Sequence, residues 1–439
     1  MTAIALSRSI GAAEWRALAA SWLGWMFDGY ETYALVLVAG IATRQLIAAD
    51  QVAQLPIYVG GLLCVTLLGW ATGGVLAGIL ADYVGRKRML MYSILWYAAF
   101  TGLTALAPNY WVLLGMRFLT GLGLGAEWGP GTAMVAEFWP PAVRGRAAAV
   151  LQSAFGFGFL AASAAWFLIG PLGAGAWRYM FLLGVLPALL LLYIRTQVQE
   201  PALWVTAAER RQAARERAAR GQALDAAEHG LLRFTMAQVL AVPVLRRRLF
   251  LLVLMSLSTN VGWWATSTWI PQYAAQLAGG ASLDAAQWAT YTALTYNLGA
   301  IVGFLALGTV ADLWGRKPAT FLFFLGSVVI VELLFLGVHE PRLLLFAAAV
   351  NGFFTSGLFT WMPIYTPEVF PTYVRGSAIS MVFDSSRYVA AWGPLLAGWL
   401  ITALGGIGTA AAIVGLIYVL GLVITPWAGP ETRGQPLPE

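Results

Sequence analysis

Twelve runs of roughly 20 apolar residues follow one another along the chain, and this series limits the fold more tightly than any other feature. At 1.5 Å per helical residue, such a run crosses the ~30 Å hydrocarbon core of a bilayer. The approximate spans are 16–39, 56–80, 89–107, 111–136, 146–169, 177–195, 249–275, 286–312, 318–337, 342–367, 378–402 and 407–428. Lipid offers the backbone no hydrogen-bond partners, so a spanning segment must satisfy its own amides, which leaves helices and closed barrels. Barrel strands alternate over ~10 residues, whereas these runs are apolar on every side. The reading is an all-α integral membrane protein of twelve transmembrane helices in two six-helix pseudo-symmetric bundles. Hydrophobic residues make up 60% of the 439 and charged ones 10%, with a mean hydropathy of +0.74, so water is not the solvent for most of this surface.

The basic residues set the orientation. With both termini in the cytoplasm, only Arg44, Arg178 and Arg342 fall outside, Arg117 and Arg387 lie within spans, and the rest of the 26 Lys and Arg lie inside. The net charge of +6 therefore reads as a topology signal and not as a nucleic-acid surface. The first sixteen residues show no cleavage pattern and the first run carries Asp28 and Glu31, so the N-terminus is expected to be retained. Residues 196–248 form the one long polar stretch, a basic helix followed by a less regular segment. It separates an N-terminal bundle, 1–195, from a C-terminal one, 249–439. Cys64 is the lone cysteine and the two histidines, His229 and His339, are scattered, so neither a disulfide framework nor a metal site is expected.

Internal repetition adds a second constraint. "GILADYVGRK" at 78–87 returns as "GTVADLWGRK" at 308–317, an offset of 230. "EFWPPAVRG" from Glu137 returns as "EVFPTYVRG" from Glu368, and Glu200 is echoed by Glu431, both at an offset of 231. Two parallel repeats place a binding site between them, near the bilayer midplane.

These motifs resemble the major facilitator superfamily over nearly the whole chain. "GILADYVGRK" is similar to that family's signature loop after the second helix, and "GPETRGQ" to the sugar-porter ending. "FDGYETYALVL", "RFLTGLGLGAEWGPG" and "YTPEVFPTYVRG" resemble the proton-coupled metabolite and aromatic-acid symporters and their organic-ion relatives. The resemblance implies a secondary transporter of the plasma membrane.

The repeated charges form two matching sets at the cytoplasmic rim: Asp82, Arg86, Glu137, Arg144 and Glu200, then Asp312, Arg316, Glu368, Arg375 and Glu431. Orientation needs only the bases, so the repeated acids point to a pair of ionic latches that close the cytoplasmic side. Charges within spans cost roughly 2.5–3.5 kcal/mol each on insertion scales and need a reason. Asp28 lies about 18 Å deep in the first span and Arg117 about 9 Å from the opposite face in the antiparallel fourth, within an arginine's reach of each other. A carboxylate that alternates between an arginine and a proton is a minimal proton carrier, because pairing favours its charged form and desolvation its neutral one. Related symporters place such a pair in these helices, which makes Asp28 the expected carrier, with Glu31 and Glu127 as further candidates. Glu332 receives no role.

In the eleventh span Arg387 lies about 14 Å deep, with Asp384 one turn earlier. A guanidinium near midplane is a planar fork for a carboxylate. The resemblance to organic-anion carriers agrees, so an anionic substrate is expected at Arg387 and Asp384, aided by Gln152, Asn260, Trp263, Trp264, Tyr296 and Asn297. Trp361, beside Pro363, fits a gate. Lys87 and Lys317 are the only lysines and neither completes a phosphate loop, so ATP does not drive the protein. The expected partners are a small organic anion, a proton and membrane lipid, with no nucleic acid and no cofactor beyond the coupling proton, in a monomer. Proton-coupled symport of organic anions by alternating access is the reading; an exporter or exchanger of amphipathic compounds and a non-transporting metabolite receptor are the alternatives.

Overall fold

The structure is a computed structural model and describes residues 10–438, which are helical almost throughout. The expectation of a retained N-terminus bears in part on residues 1–9, which lie outside the described residues. The main elements are α1 (Ala12–Leu46), α2 (Ala49–Val84), α3 (Arg86–Thr104), α4 (Tyr110–Phe138), α5 (Arg144–Leu172), α6 (Ala174–Gln197), α7 (Ala202–Ala219), α8 (Pro243–Gly280), α9 (Ala285–Trp314), α10 (Arg316–Gly337), α11 (Pro341–Val369), α12 (375–403) and α13 (Ile407–Trp427). Eight of them, α2, α5, α6, α8, α9, α10, α11 and α13, are long and apolar enough to cross a bilayer. The other long ones carry the charge: α1 holds Asp28 and Glu31, α4 holds Arg117 and Glu127, α12 holds Asp384 and Arg387, and α3 opens on Arg86, Lys87 and Arg88.

Several spans expected to be continuous are irregular: α10 ends in a π-turn at Leu333–Gly337, α13 lapses at Leu416, and three others break more widely. In α6, Gly184 and Pro187 interrupt the helix between Trp177–Leu183 and Leu190–Gln197. In α11, Gly352–Ser356 forms a π-turn and Gly357–Thr360 a 3-10 turn. In α12 the helix lapses at Ser385 and Ser386, between Arg375–Asp384 and Arg387–Ala390. Irregular backbone at such depth survives only where protein or a cavity surrounds it, and α12 breaks between the two charged residues of the proposed clamp.

Helices α1 to α6 pack mainly against one another, through α2 on α4, α1 on α5 and α3 on α4; α8 to α13 form a second group through α9 on α11 and α8 on α9 and α13. The glycine run of α4 makes the first contact close: a Cβ at Gly125 would lie 1.9 Å from the Trp70 carbonyl oxygen of α2. The two groups meet along α5 with α9 and α2 with α12. Between them, α7 is the basic helix read from sequence, and the less regular stretch contains two short helices, Ala226–Leu232 and Thr235–Ala241. Arg246 to Arg248 already belong to α8. Arg211 of α7 donates to the carbonyls of Asp82 and Tyr373, so the linker touches both groups.

Candidate functional site: an ionic end and a charged aromatic core

At the end of the bundle where α2 turns into α3, the repeated charges meet. Glu137 Oε1 accepts from Arg86 of its own group at 3.1 Å and from Arg375 of the other at 2.8 Å. The second repeat mirrors it: Glu368 Oε1 accepts from Arg316 at 2.8 Å and from Arg144 of the first group at 3.2 Å. Asp82 and Asp312 each hold the arginine one turn on, at 3.0 Å. Their remaining capacity crosses to the other group. Asp82 accepts from the N–H groups of Gly376 and Ser377 and from Ser377 Oγ at 3.0, 2.9 and 2.6 Å; Asp312 accepts from the N–H groups of Gly145 and Arg146 at 3.2 and 3.0 Å. Each aspartate therefore sits on a helix N-terminus, where unsatisfied amides and the helix dipole favour an anion. Glycine is what admits it: a Cβ at Gly145 would lie 2.4 Å from Asp312 Oδ1, and one at Gly376 2.8 Å from Asp82 Oδ1.

Glu200 and Glu431 depart from the expected ion pairs. Glu200 accepts from the N–H groups of Arg86, Lys87 and Arg88, and Glu431 from those of Arg316 and Lys317. They bind the helix starts of α3 and α10, because Gly85 and Gly315, with φ of 115° and 121°, turn those amides outward. Sequence separation alone does not tell a carboxylate on a guanidinium from one on a helix N-terminus.

Deep in the first group, Arg117 Nη1 donates to Glu31 Oε2 at 3.1 Å, with both side chains fully buried. This corrects the expected contact between Arg117 and Asp28: the next turn of α1 supplies the partner. Asp28 and Glu127 are also buried, and none of their four carboxylate oxygens has a hydrogen-bond partner among the described residues. The buried Arg117 Nε and Nη2 likewise donate to none of the described residues. Asp28 lies within electrostatic reach of Glu127, Glu31, Arg387 and Asp384.

Arg387 is 5% exposed, with its guanidinium carbon 3.9 Å from the Phe383 ring centre and 4.9 Å from that of Trp70. Its Nη1 donates to Phe383 O at 2.9 Å and to Asp384 Oδ1 at 3.2 Å. Its Nε and Nη2 donate to none of the described residues. Arg387 lines a cavity of about 30 Å³ between the groups, whose walls include Trp25, Trp70, Gln152, Phe155, Trp263, Trp264, Asn297, Phe359 and Phe383. That volume holds little more than a water or two, so the walls stand closed on one another; Phe383 stacks on Trp128 at 3.6 Å across the group boundary.

Of the expected binding residues, Arg387, Gln152, Trp263, Trp264 and Asn297 line this cavity. Three do not. Asp384 lies behind Arg387 against Gly74; Asn260 turns its amide back to Ser256; Tyr296 bonds Thr355 and Ser356. Trp361 is also away from it, donating to Thr259. The residues not anticipated are the aromatic ones, Trp25, Trp70, Phe155, Phe359 and Phe383. Trp25 and Phe383 precede Asp28 and Arg387 by three and four residues, the same-face spacing that would have picked them out.

Residues 17–439 match the family described as sugar (and other) transporter. A protein of Haemophilus influenzae whose name assigns it to metabolite transport is 30% identical over 435 residues, covering 98% of this chain and 100% of that one. One from Cupriavidus pinatubonensis, named for 4-methylmuconolactone transport, is 29% identical over 424 residues, covering 94% and 90%. Further relatives are named as carriers of niacin and cis,cis-muconate in Acinetobacter baylyi and of gentisate in Corynebacterium glutamicum. The proton:xylose symporter XylE, solved with a bromodeoxyglucose, superposes with a TM-score of 0.77 at 18% identity, covering 98% of each chain, which is a likeness of fold. The chain is a multi-pass membrane transporter, and it belongs to the sugar (and other) transporter family within the major facilitator superfamily.

Proposed function

We propose that the protein is a proton-coupled symporter that carries small organic anions, above all aromatic or unsaturated carboxylates, by alternating access. The observation that carries the reading is the unoccupied Nε and Nη2 edge of Arg387 in an aromatic-walled cavity between the groups. A guanidinium edge matches a carboxylate bidentately, and aromatic walls suit a planar acid. The named cargoes niacin, cis,cis-muconate and gentisate are all carboxylates, which supports the same class.

In this reading twelve spans cross the membrane with both termini cytoplasmic, as two bundles, 1–195 and 249–439, joined by the linker 196–248 in a monomer. The ionic end faces the cytoplasm and forms the closed gate of a state that admits substrate from outside. Asp28, Glu31, Glu127 and Arg117 form the proton-coupling cluster: Arg117 holds Glu31, its Nε and Nη2 leave room for a second carboxylate, and Asp28 and Glu127 have no hydrogen-bond partner among the described residues to keep them charged.

The test is reconstitution into proteoliposomes with radiolabelled niacin, gentisate and cis,cis-muconate. A symporter fills vesicles under an inward proton gradient and exchanges internal for external acid without one. Emptying under that gradient would mark an exporter. Binding without exchange would mark a receptor, and binding of none of the acids would remove the anion reading.

A further inference from the structure

The reading of the protein as an anion symporter leaves open where the proton sits while substrate is bound, and a second acid lies closer to the clamp than Asp28. We infer that Asp384 is the substrate-linked proton acceptor: a carboxylate docking on the open edge of Arg387 draws one proton onto Asp384 Oδ2. This inference rests on the anion reading of the same site.

The geometry divides Arg387 in two. Both hydrogens of Nη1 are used, on Phe383 O and Asp384 Oδ1, while Nε and the two hydrogens of Nη2 remain for a ligand. With the clamp empty, one positive and one negative charge balance. A substrate carboxylate on the free edge puts two anions on a single cation at a buried site. One of the three charges must then be cancelled, because an uncompensated buried carboxylate is costly.

Asp384 is built to take the proton. Its side chain is fully buried, its Oδ1 is the atom held by Arg387, and its Oδ2 has no hydrogen-bond partner among the described residues. That oxygen packs against Gly74, where a Cβ would lie 2.1 Å away, so α2 leaves space for the carboxyl group and brings no competing charge. The step balances as substrate carboxylate plus one proton from the aqueous phase, giving carboxylate bound to Arg387 and Asp384 in its acid form. The core's net charge is the same before and after. The reverse step on the other side of the membrane releases both, and the empty carrier returns with Arg387 neutralised by Asp384.

The surrounding charges leave few rivals. Arg387 shares the segment, and Asp28 of α1 acts on both Arg387 and Asp384. Glu127 of α4 packs against Gly24, one turn before Asp28 on α1. Of the other ionisable groups near this part of α12, Cys64 of α2 packs with Ala391 and Tyr388 bonds Thr72, while Asp82, Tyr365, Glu368 and Arg248 are engaged at the ionic end: Asp82 binds residues 376 and 377, about 10 Å along the helix from Asp384.

The experiment measures binding of the acid that binds most tightly among niacin, gentisate and cis,cis-muconate to the purified full chain. In weakly buffered solution with a pH indicator, wild type should take up one proton per acid bound, and its affinity should fall about tenfold per pH unit on the alkaline side. Asp384→Asn should bind with no proton uptake and with an affinity that does not change from pH 6 to pH 8. In vesicles this variant should exchange acid for acid but fail at net uptake, because its empty Arg387 lacks a counter-charge. Wild-type binding without proton uptake overturns the proposal whatever the variants do, as does uptake that persists in Asp384→Asn. Failure of wild type to bind any acid would instead sink the anion reading beneath it.

Discussion

At the scale of single residues, Arg387 and the two acids of α1 make separable claims. Truncating Arg387 to alanine removes the fixed cation facing the cavity and strands Asp384, so affinity for a carboxylate should fall by roughly 2–5 kcal/mol. Lysine should restore little, since a point charge offers no bidentate edge and loses the stacking on Phe383. Isothermal titration checks this, and an unchanged affinity in Arg387→Ala would make the arginine structural. For α1, stability is the better reporter. Glu31→Gln uncouples a fully buried ion pair and should cost about 3–5 kcal/mol, seen as a marked drop in thermal midpoint. Asp28→Asn breaks no hydrogen bond of its carboxylate and should leave the midpoint nearly unchanged while abolishing uptake driven by a pH gradient. Equal destabilisation by both would show that Asp28 also shares Arg117. The sequence identified these charges but paired Arg117 with the wrong acid for a physical reason. Depths counted from span ends carry errors of a few residues, while Asp28 and Glu31 differ by less than one 5.4 Å turn. The aromatic walls were less legible still, because a tryptophan in an apolar helix looks the same whether it faces a cavity, the core or lipid.

At the scale of elements, each latch is a carboxylate carried by one helix and received by the N-terminus of another. Duplication made the acids and bases visible in the sequence; their true acceptors, backbone amides exposed by glycine, left no sign beyond the "VRG" that follows each repeat. Asp82 receives three hydrogen bonds from the opposite group and Asp312 two, so Asp82→Asn should open the ionic end more than Asp312→Asn. At about 1–3 kcal/mol for a lost charged acceptor, the open population should rise several-fold or more. Gly376→Ala should act in the same direction without removing charge, by pushing Asp82 off the helix start. A cysteine placed in the cavity wall of a Cys64→Ser background reports this, since an opening ionic end closes the far side and slows labelling from there. Labelling unchanged in all three variants would reduce the latches to topology signals.

At the scale of the whole molecule, the ionic end is symmetric while the core is not. Glu137 joins Arg86 to Arg375 as Glu368 joins Arg316 to Arg144, whereas the first group buries Asp28, Glu31, Glu127 and Arg117 and the second supplies Asp384 and Arg387. Symmetric latches suit a gate that both groups must release together, and an asymmetric core suits a carrier whose substrate clamp lies in one group while buried acids of both handle the proton. Residues 435–438 also reach the ionic end: Arg375 donates to the Pro438 carbonyl at 2.8 Å and Arg144 to that of Gln435 at 3.4 Å, one arginine from each ionic set. If the latches close one opening independently, their free energies add. The double variant Asp82→Asn with Asp312→Asn should then shift the opening equilibrium, read by the same cysteine labelling, by the product of the single shifts. A stop codon after Gly434 removes the tail acceptors from both arginines but none of the carboxylates, so it should shift the equilibrium by less than Asp82→Asn and leave the product rule intact in its background. A double variant no more open than the Asp82→Asn single would mean that the two latches act as one network across the gate, and the independence assigned to the repeats would be lost.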